Sequence, residues 1–313
     1  MSFSAKTKNE LARIIDEDNC CNLAELAGLV RMIGTIIINK NNCVGLELTT
    51  ESAAIARKIL KLAKMIFTVE TEVRVLRKNR LKKNNIYLVK IPPHHEVAKI
   101  LDSLGVTKQG ILVNPKVCGN ITKNQCCQRS YLRGTFLGAG SVSSPENAYH
   151  LEIVCTDVIY ANSLVELLAA FDLKAKISKR KKFNIVYLKE SEQIVTFLNV
   201  VGAHVALLDF ENIRIQKGLR NRVNRLVNCE TANLNKTIDA SMRQVENIEF
   251  IQRKIGLDKL PNPLRQVAEL RMLQPDISLK ELGELLEPPI GKSGINHRMR
   301  KLEEISEKLR NTY

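Results

Sequence analysis

Leu26-Ala27-Gly28-Leu29-Val30-Arg31-Met32-Ile33-Gly34 and Leu132-Arg133-Gly134-Thr135-Phe136-Leu137-Gly138-Ala139-Gly140 are two copies of one pattern, 106 residues apart. Each spaces small residues along an apolar helical stretch, which lets two helix backbones approach closely. Each follows a Cys-Cys pair at the same offset, Cys20-Cys21 and Cys126-Cys127. A helix that can pack against its own copy implies a duplicated domain closed by pairing its halves.

The repeat continues past the motifs. Leu46 to Thr50 and Leu151 to Thr156 alternate as short strands. Apolar helical stretches follow, Ala53 to Phe67 and Val158 to Phe171. Next come paired β-type segments around a basic turn: Glu72–Leu76 with Ile86–Lys90, then Lys174–Ile177 with Asn184–Leu188. A closing helix ends each copy, His95 to Leu104 before Gly105 and Ser191 to Val201 before Gly202. The expected order of each copy is α-β-β-α-β-β-α. One such unit leaves a sheet face uncovered, and pairing through the motif helices closes the core.

Composition narrows the partner. The 313 residues suffice for two domains. A formal net charge of +15 favours a polyanion, most simply nucleic acid, ahead of an anionic membrane surface. Trp is absent and aromatics make up 4%, which disfavours readers that stack on unpaired bases. No apolar run approaches the roughly eighteen residues that cross a bilayer, and Met1 to Lys6 has no signal-peptide core. A cytoplasmic, nucleoid-associated protein without membrane attachment is expected. The eight cysteines then read as reduced thiols. Adjacent Cys-Cys pairs lack the spacer that wraps a chain around zinc, so they read as small buried residues opening the helices, and neither metal nor cofactor is expected.

Two basic turns occupy matching places in the repeats. Arg77, Lys78, Arg80, Lys82 and Lys83 lie in the first; Lys179, Arg180, Lys181 and Lys182 lie in the second. Related by a pseudo-twofold axis, they could grip phosphates on either side of a duplex. Solvated lysines at hairpin tips are the plainer alternative.

The paired motifs and element order resemble the LAGLIDADG homing endonuclease fold in its single-chain form. That resemblance implies an acidic residue at the penultimate motif position, where two acids hold a divalent metal. Ile33 and Ala139 stand there instead. Neither offers an oxygen ligand, and the nearby Glu25 and Glu146 form no symmetric pair. Cleavage by that mechanism is not expected.

After about Glu211 the repeat gives way to helical, charge-rich sequence through Ile255-Gly256, broken at Pro261-Asn262-Pro263. Pro263 to Leu273 suits an amphipathic helix. Ser278-Leu279-Lys280-Glu281 has the form of a capping box, opening a helix to Leu286 that buries Leu279, Leu282 and Leu285 or Leu286. The turn Glu287 to Gly291 contains Pro288-Pro289 and cannot be helical. Lys292 to Leu309 then places Ile295, Met299, Leu302, Ile305 and Leu309 on one face. Ser293, Asn296, His297, Arg300 and Lys301 lie opposite, with Arg298 at the boundary. This is a helix-turn-helix pattern, with Asn and Arg suited to base edges and Ser278, Lys280, Lys292 and Lys301 suited to the backbone.

The combination resembles the bacterial WhiA family. Ser2-Phe3-Ser4, Arg222 to Leu234, Ser278 to Gly283 and Lys292 to Arg298 carry the match; Gly291 is a small departure in the turn. The resemblance implies a bacterial double-stranded-DNA-binding protein linked to cell division, chromosome segregation and, in some lineages, sporulation. The expected fold is α+β: a pseudo-dimeric duplicated αββαββα LAGLIDADG-like domain followed by an all-α helix-turn-helix domain. The expected boundaries are a helical lead-in (1–19), the duplicated domain (20–210, repeats about 20–105 and 126–202), a helical linker (211–262) and the helix-turn-helix domain (263–313, motif about 278–311). A non-enzymatic transcriptional regulator is the leading expectation. The alternatives are a divergent endonuclease and a scaffold that binds another protein through its LAGLIDADG-like domain.

Overall fold

The computed structural model describes residues 1–66, 70–77, 85–108 and 112–312. The chain folds as two compact units, Met1–Lys217 and Gly218–Tyr313.

In the first unit, α1 (Phe3–Leu11) is capped by Ser2, whose Oγ accepts from Ala5 N at 3.2 Å. The first repeat follows as α2 (Asn19–Ile33), β1 (Gly34–Ile38), β2 (Val44–Thr50), α3 (Ala53–Ile66), β3 (Glu72–Arg77), β4 (Asn85–Ile91) and α4 (His95–Ser103). A short ribbon, β5 (Thr107–Lys108) with β6 (Leu112–Val113), precedes the second repeat. That repeat is α5 (Gln125–Ala139), β7 (Gly140–Val142), β8 (Leu151–Cys155), α6 (Val158–Ala169), β9 (Lys176–Arg180), β10 (Phe183–Leu188) and α7 (Ser191–Val201). The expected α-β-β-α-β-β-α order recurs, and both four-stranded antiparallel sheets have the same strand order, β1-β2-β4-β3 and β7-β8-β10-β9. Gly105 and Gly202 take the left-handed conformation (φ 60° and 88°) that turns the chain out of its closing helix.

The two motif helices, α2 and α5, pack through reciprocal backbone contact. A Cβ on Gly28 would sit 2.4 Å from the Tyr131 carbonyl oxygen, and one on Gly134 would sit 2.1 Å from the Glu25 carbonyl oxygen. Position 131 in the second repeat is the counterpart of 25 in the first, so this is one contact made twice about a pseudo-twofold axis. Leu26, Leu29, Leu46, Leu48, Ile59 and Val89 from the first repeat share a continuous core with Leu132, Phe136, Ile153, Leu164, Val186 and Phe197 from the second.

That apolar interface also buries charge. Glu25 and Lys58 pair with both side chains inaccessible to solvent. Arg133 Nη2 lies 3.0 Å from Glu25 Oε2 and also pairs with Asp16. Ser130 Oγ donates to Asp16 at 2.9 Å, and Lys58 Nζ donates to the Leu11 carbonyl at 2.9 Å. Burial pulls the Lys58 ammonium below its ordinary range, and Glu25 acts against that shift. Two acids and two bases thus offset one another's charge, as buried charge requires.

One helix, α8 (His204–Ile255), follows the repeats and passes from the first unit into the second. The expected linker, residues 211–262, is therefore shared between the two units. Ile248 and Ile251 belong to the second unit's own core, with Leu264, Val267, Leu282, Ile295 and Leu302. Helices α9 (Asn262–Leu273), α10 (Leu279–Glu284) and α11 (Lys292–Thr312) complete that unit. Among the described residues no helix is long and apolar enough to cross a membrane.

Candidate nucleic-acid interface

The geometry of α10 and α11 begins with local chemistry at Ser278. Its Oγ accepts from Glu281 N at 3.3 Å, and Glu281 Oε2 accepts from Ser278 N at 2.8 Å, closing the expected capping box. Those hydrogen bonds, the one from the Ser278 backbone foremost, hold the Glu281 carboxyl below its ordinary range. Leu282 and Leu286 are buried, whereas Leu285 is half exposed, which settles the choice between the last two leucines. Helix α10 stops at Glu284, two residues short of the expected end, because the chain must bend to bring Ile290 beside Gly283. Ile290 N donates to the Gly283 carbonyl at 3.0 Å, and a Cβ on Gly283 would meet the Ile290 carbonyl oxygen at 2.0 Å. Only glycine permits that approach.

The preceding turn is held from below. Arg271, 1% exposed, donates to the carbonyls of Pro275 (3.2 Å) and Ile277 (2.7 Å), while Ser241 Oγ bonds the same Pro275 carbonyl. Helix α11 seats Ile295, Met299 and Leu302 in the core, and Ile305 and Leu309 pack at its margin, as the spacing predicts.

With that face buried, Lys292, Ser293, Asn296, His297, Arg300 and Lys301 are exposed, and Arg298 is half-buried. Arg298 Nη1 donates to the Pro263 carbonyl at 3.3 Å, so this guanidinium braces α9. Lys280 is exposed beside Glu284 at 3.8 Å. Two clefts in the second unit bring residues of α8 to these side chains. In one, of about 350 Å³, Lys236 joins Lys280, Lys292 and Ser278. In the other, Arg243 and Asn247 join Asn296 and Arg300. Sequence reasoning missed Lys236 and Arg243, because a segment read as linker gave no reason to place them beside the helix-turn-helix. The signal available was basic residues in helical sequence just before it. Three lysines around a hydroxyl form a site suited to phosphate, and the polar face of α11 is suited to base edges.

The duplicated unit presents a different surface. Lys181 and Lys182 make the tight turn between β9 and β10, Lys181 with φ 55°, whereas Lys179 and Arg180, expected in the turn, are exposed on β9. Arg77 is exposed at the end of β3; Lys78, Arg80, Lys82 and Lys83 lie outside the described residues. On the solvent side of the sheets, basic side chains stand beside acids. Lys90 lies 3.3 Å from Glu47, Arg74 lies 3.0 Å from Glu72, and His150 lies 3.1 Å from Glu152. Ile33 and Ala139, where the fold would place metal-binding acids, are half-buried at the carboxyl ends of α2 and α5. Glu25 is held by Lys58 and Arg133, well inside the helix pair. At the opposite helix ends the Cys-Cys pairs divide: Cys21 and Cys127 are buried, Cys20 and Cys126 exposed. The reading of both members as buried therefore holds for only one of each pair.

Three family profiles match in order along the chain. They are the WhiA N-terminal LAGLIDADG-like domain over residues 19–107, the WhiA LAGLIDADG-like domain over 128–220 and the WhiA C-terminal HTH domain over 223–306. A probable cell division protein WhiA of Heliobacterium modesticaldum is 55% identical over 309 residues, covering 98% of this chain and 96% of its own. That of Desulforamulus reducens is 53% identical over 317 residues, covering 99% and 97%. The crystal structure of full-length DUF199/WhiA from Thermatoga maritima is similar with a TM-score of 0.59 at 25% identity, covering 98% of this chain and 99% of that one.

Proposed function

The chain belongs to the WhiA family, and from that premise we propose that it is a non-enzymatic, double-stranded-DNA-binding regulator of cell division. Its finer role, on this reading, is transcriptional control tied to chromosome segregation, exercised at the nucleoid. The observation that carries the proposal is the exposed polar start of α11 beside the cleft of Lys236, Lys280 and Lys292. Ser293, Asn296, His297 and Arg300 are the base-reading candidates. Lys236, Lys280, Lys292, Lys301 and the Ser278 hydroxyl face the phosphates. Arg298 acts from behind, fixing α11 against α9. The tips of the basic hairpins, with Arg77, Lys179, Arg180, Lys181 and Lys182, add non-specific phosphate contacts or leave room for a protein partner.

The absence of catalysis is proposed from Ile33 and Ala139, which supply no carboxylate where the fold would hold its metal. The test is a gel-shift titration on a duplex selected by the wild-type chain. Replacing Arg300 and Lys301 together by Ala is expected to weaken binding at least several-fold without shifting the melting temperature, since a side chain that no longer reaches its base or phosphate costs on the order of 1 kcal/mol. Unchanged affinity would refute α11 as the reading helix. Reproducible nicking of supercoiled DNA with Mg²⁺ or Mn²⁺ would refute the non-enzymatic assignment.

A further inference from the structure

The Sγ atoms of Cys20, Cys21, Cys126 and Cys127 all lie within 4.8 Å of one another. The residues are the second and third of α2 and of α5, which begin at Asn19 and Gln125. Two residues adjacent in sequence cannot wrap a chain around a metal. Two such pairs brought together by a helix pair do not need to. We propose that these four cysteines form a tetrathiolate site for one thiophilic divalent metal ion, zinc foremost, that clamps the amino ends of the two repeats.

The dimensions fit. Tetrahedral zinc with Zn–S bonds of about 2.3 Å holds its sulfurs about 3.8 Å apart. Cys126 and Cys127 are at 4.0 Å, and no pair in the cluster exceeds 4.8 Å, so closure takes sulfur movements of about 1 Å or less. The surroundings fit as well. Four thiolates around Zn²⁺ carry two net negative charges, and the amino ends of two 15-residue helices converge on them. Neither Asp18 nor Asn124 caps its helix with a side-chain hydrogen bond. Cys20 and Cys126 are exposed and give the ion a route in, while Cys21 and Cys127 fix its inner side.

Without metal, burial first and then the neighbouring thiols push the Cys21 thiol up to about 12, and Cys127 is pushed in the same direction. Binding releases four protons to solvent and forms four Zn–S bonds, with no change of oxidation state.

The experiment uses the full chain purified under reducing conditions with zinc in the growth medium. Elemental analysis is expected to give one zinc per chain, and Co²⁺ exchange is expected to produce thiolate-to-cobalt charge-transfer bands with tetrahedral d–d bands. Cys20→Ser with Cys126→Ser, two exposed positions outside the core, should abolish both signals while the protein remains folded by circular dichroism. If that variant fails to fold, the wild-type stoichiometry and cobalt spectrum decide alone. A metal-free wild-type chain without a cobalt spectrum would overturn the proposal.

Discussion

The two units use charge in opposite ways. In the paired repeats the telling ionisable groups point inward: Glu25, Lys58 and Arg133 are buried between helices and neutralise one another. In the second unit most of them point outward, along α11 and around the lysine cleft, where they have few protein partners. Arg271 and Arg298 are exceptions that serve the architecture, Arg271 by holding the turn before α10 and Arg298 by bracing α9. Burial therefore separates a charge that builds the fold from one available to a ligand. Burial divides the charged residues between scaffold and accessible surface more sharply than net charge does.

Three substitutions test that division. The largest effect is expected from Glu25→Ala, which leaves Lys58 and Arg133 buried without their shared carboxylate. Removing one partner from a buried pair costs on the order of 3–5 kcal/mol. Denaturant unfolding should show that destabilisation in the first unit, with DNA affinity per folded molecule unaltered. A value below about 1 kcal/mol would mean that the network is no more than a surface-grade ion pair. Gly283→Ala comes next. Its methyl group would run into the Ile290 carbonyl, an overpacking cost of about 1–3 kcal/mol, expected in the second unit's transition and accompanied by weaker DNA binding. A shift confined to the first unit's transition would break the comparison.

The smallest is Glu281→Gln, which puts a neutral acceptor in place of the charged half of the capping box. It carries a pH signature. Because Glu281 is held below its ordinary value when folded, the capping box stabilises the unit above the unfolded carboxyl's range. That contribution disappears as pH falls through the folded value. Stability curves of wild type and variant should therefore converge in acid. Curves that stay parallel down to low pH would show that the box does not contribute in solution.

Much of this was legible in the sequence, for reasons that also mark where reading stops. The repeat, most of the elements within it and the apolar face of Ile295, Met299 and Leu302 all follow from periodicity, and periodicity is local. Gly28 and Gly134 were legible as close-packing residues because nothing larger suits a tight helix pair. The continuity of α8 was not, since Gly218 and the polar stretch around Asn228 to Asn235 weaken helical signals without breaking the helix. Lys58 and Arg133 were equally hidden. A charged residue in a helix is read as solvent-facing unless its partner is known, and Glu25 meets Arg133 only across the paired repeats. The cysteines illustrate the same limit, for each pair is uninformative until its counterpart 106 residues away is placed beside it.

The backbone contact at Gly28 and Gly134 is symmetric, but the buried ions across it are not: the counterpart of Glu25 is Tyr131, and that of Arg133 is Ala27. Duplication into one chain has let the halves become a matched but unequal couple. If the second repeats of two chains joined instead, each Arg133 would meet Tyr131 where Glu25 now stands. Two first repeats would present Ala27 where Arg133 should reach. The mismatch rewards each half for finding its own sibling. In a crowded cell, where every newly made chain meets copies of itself before folding is complete, that inequality guards against strand-to-strand exchange between molecules.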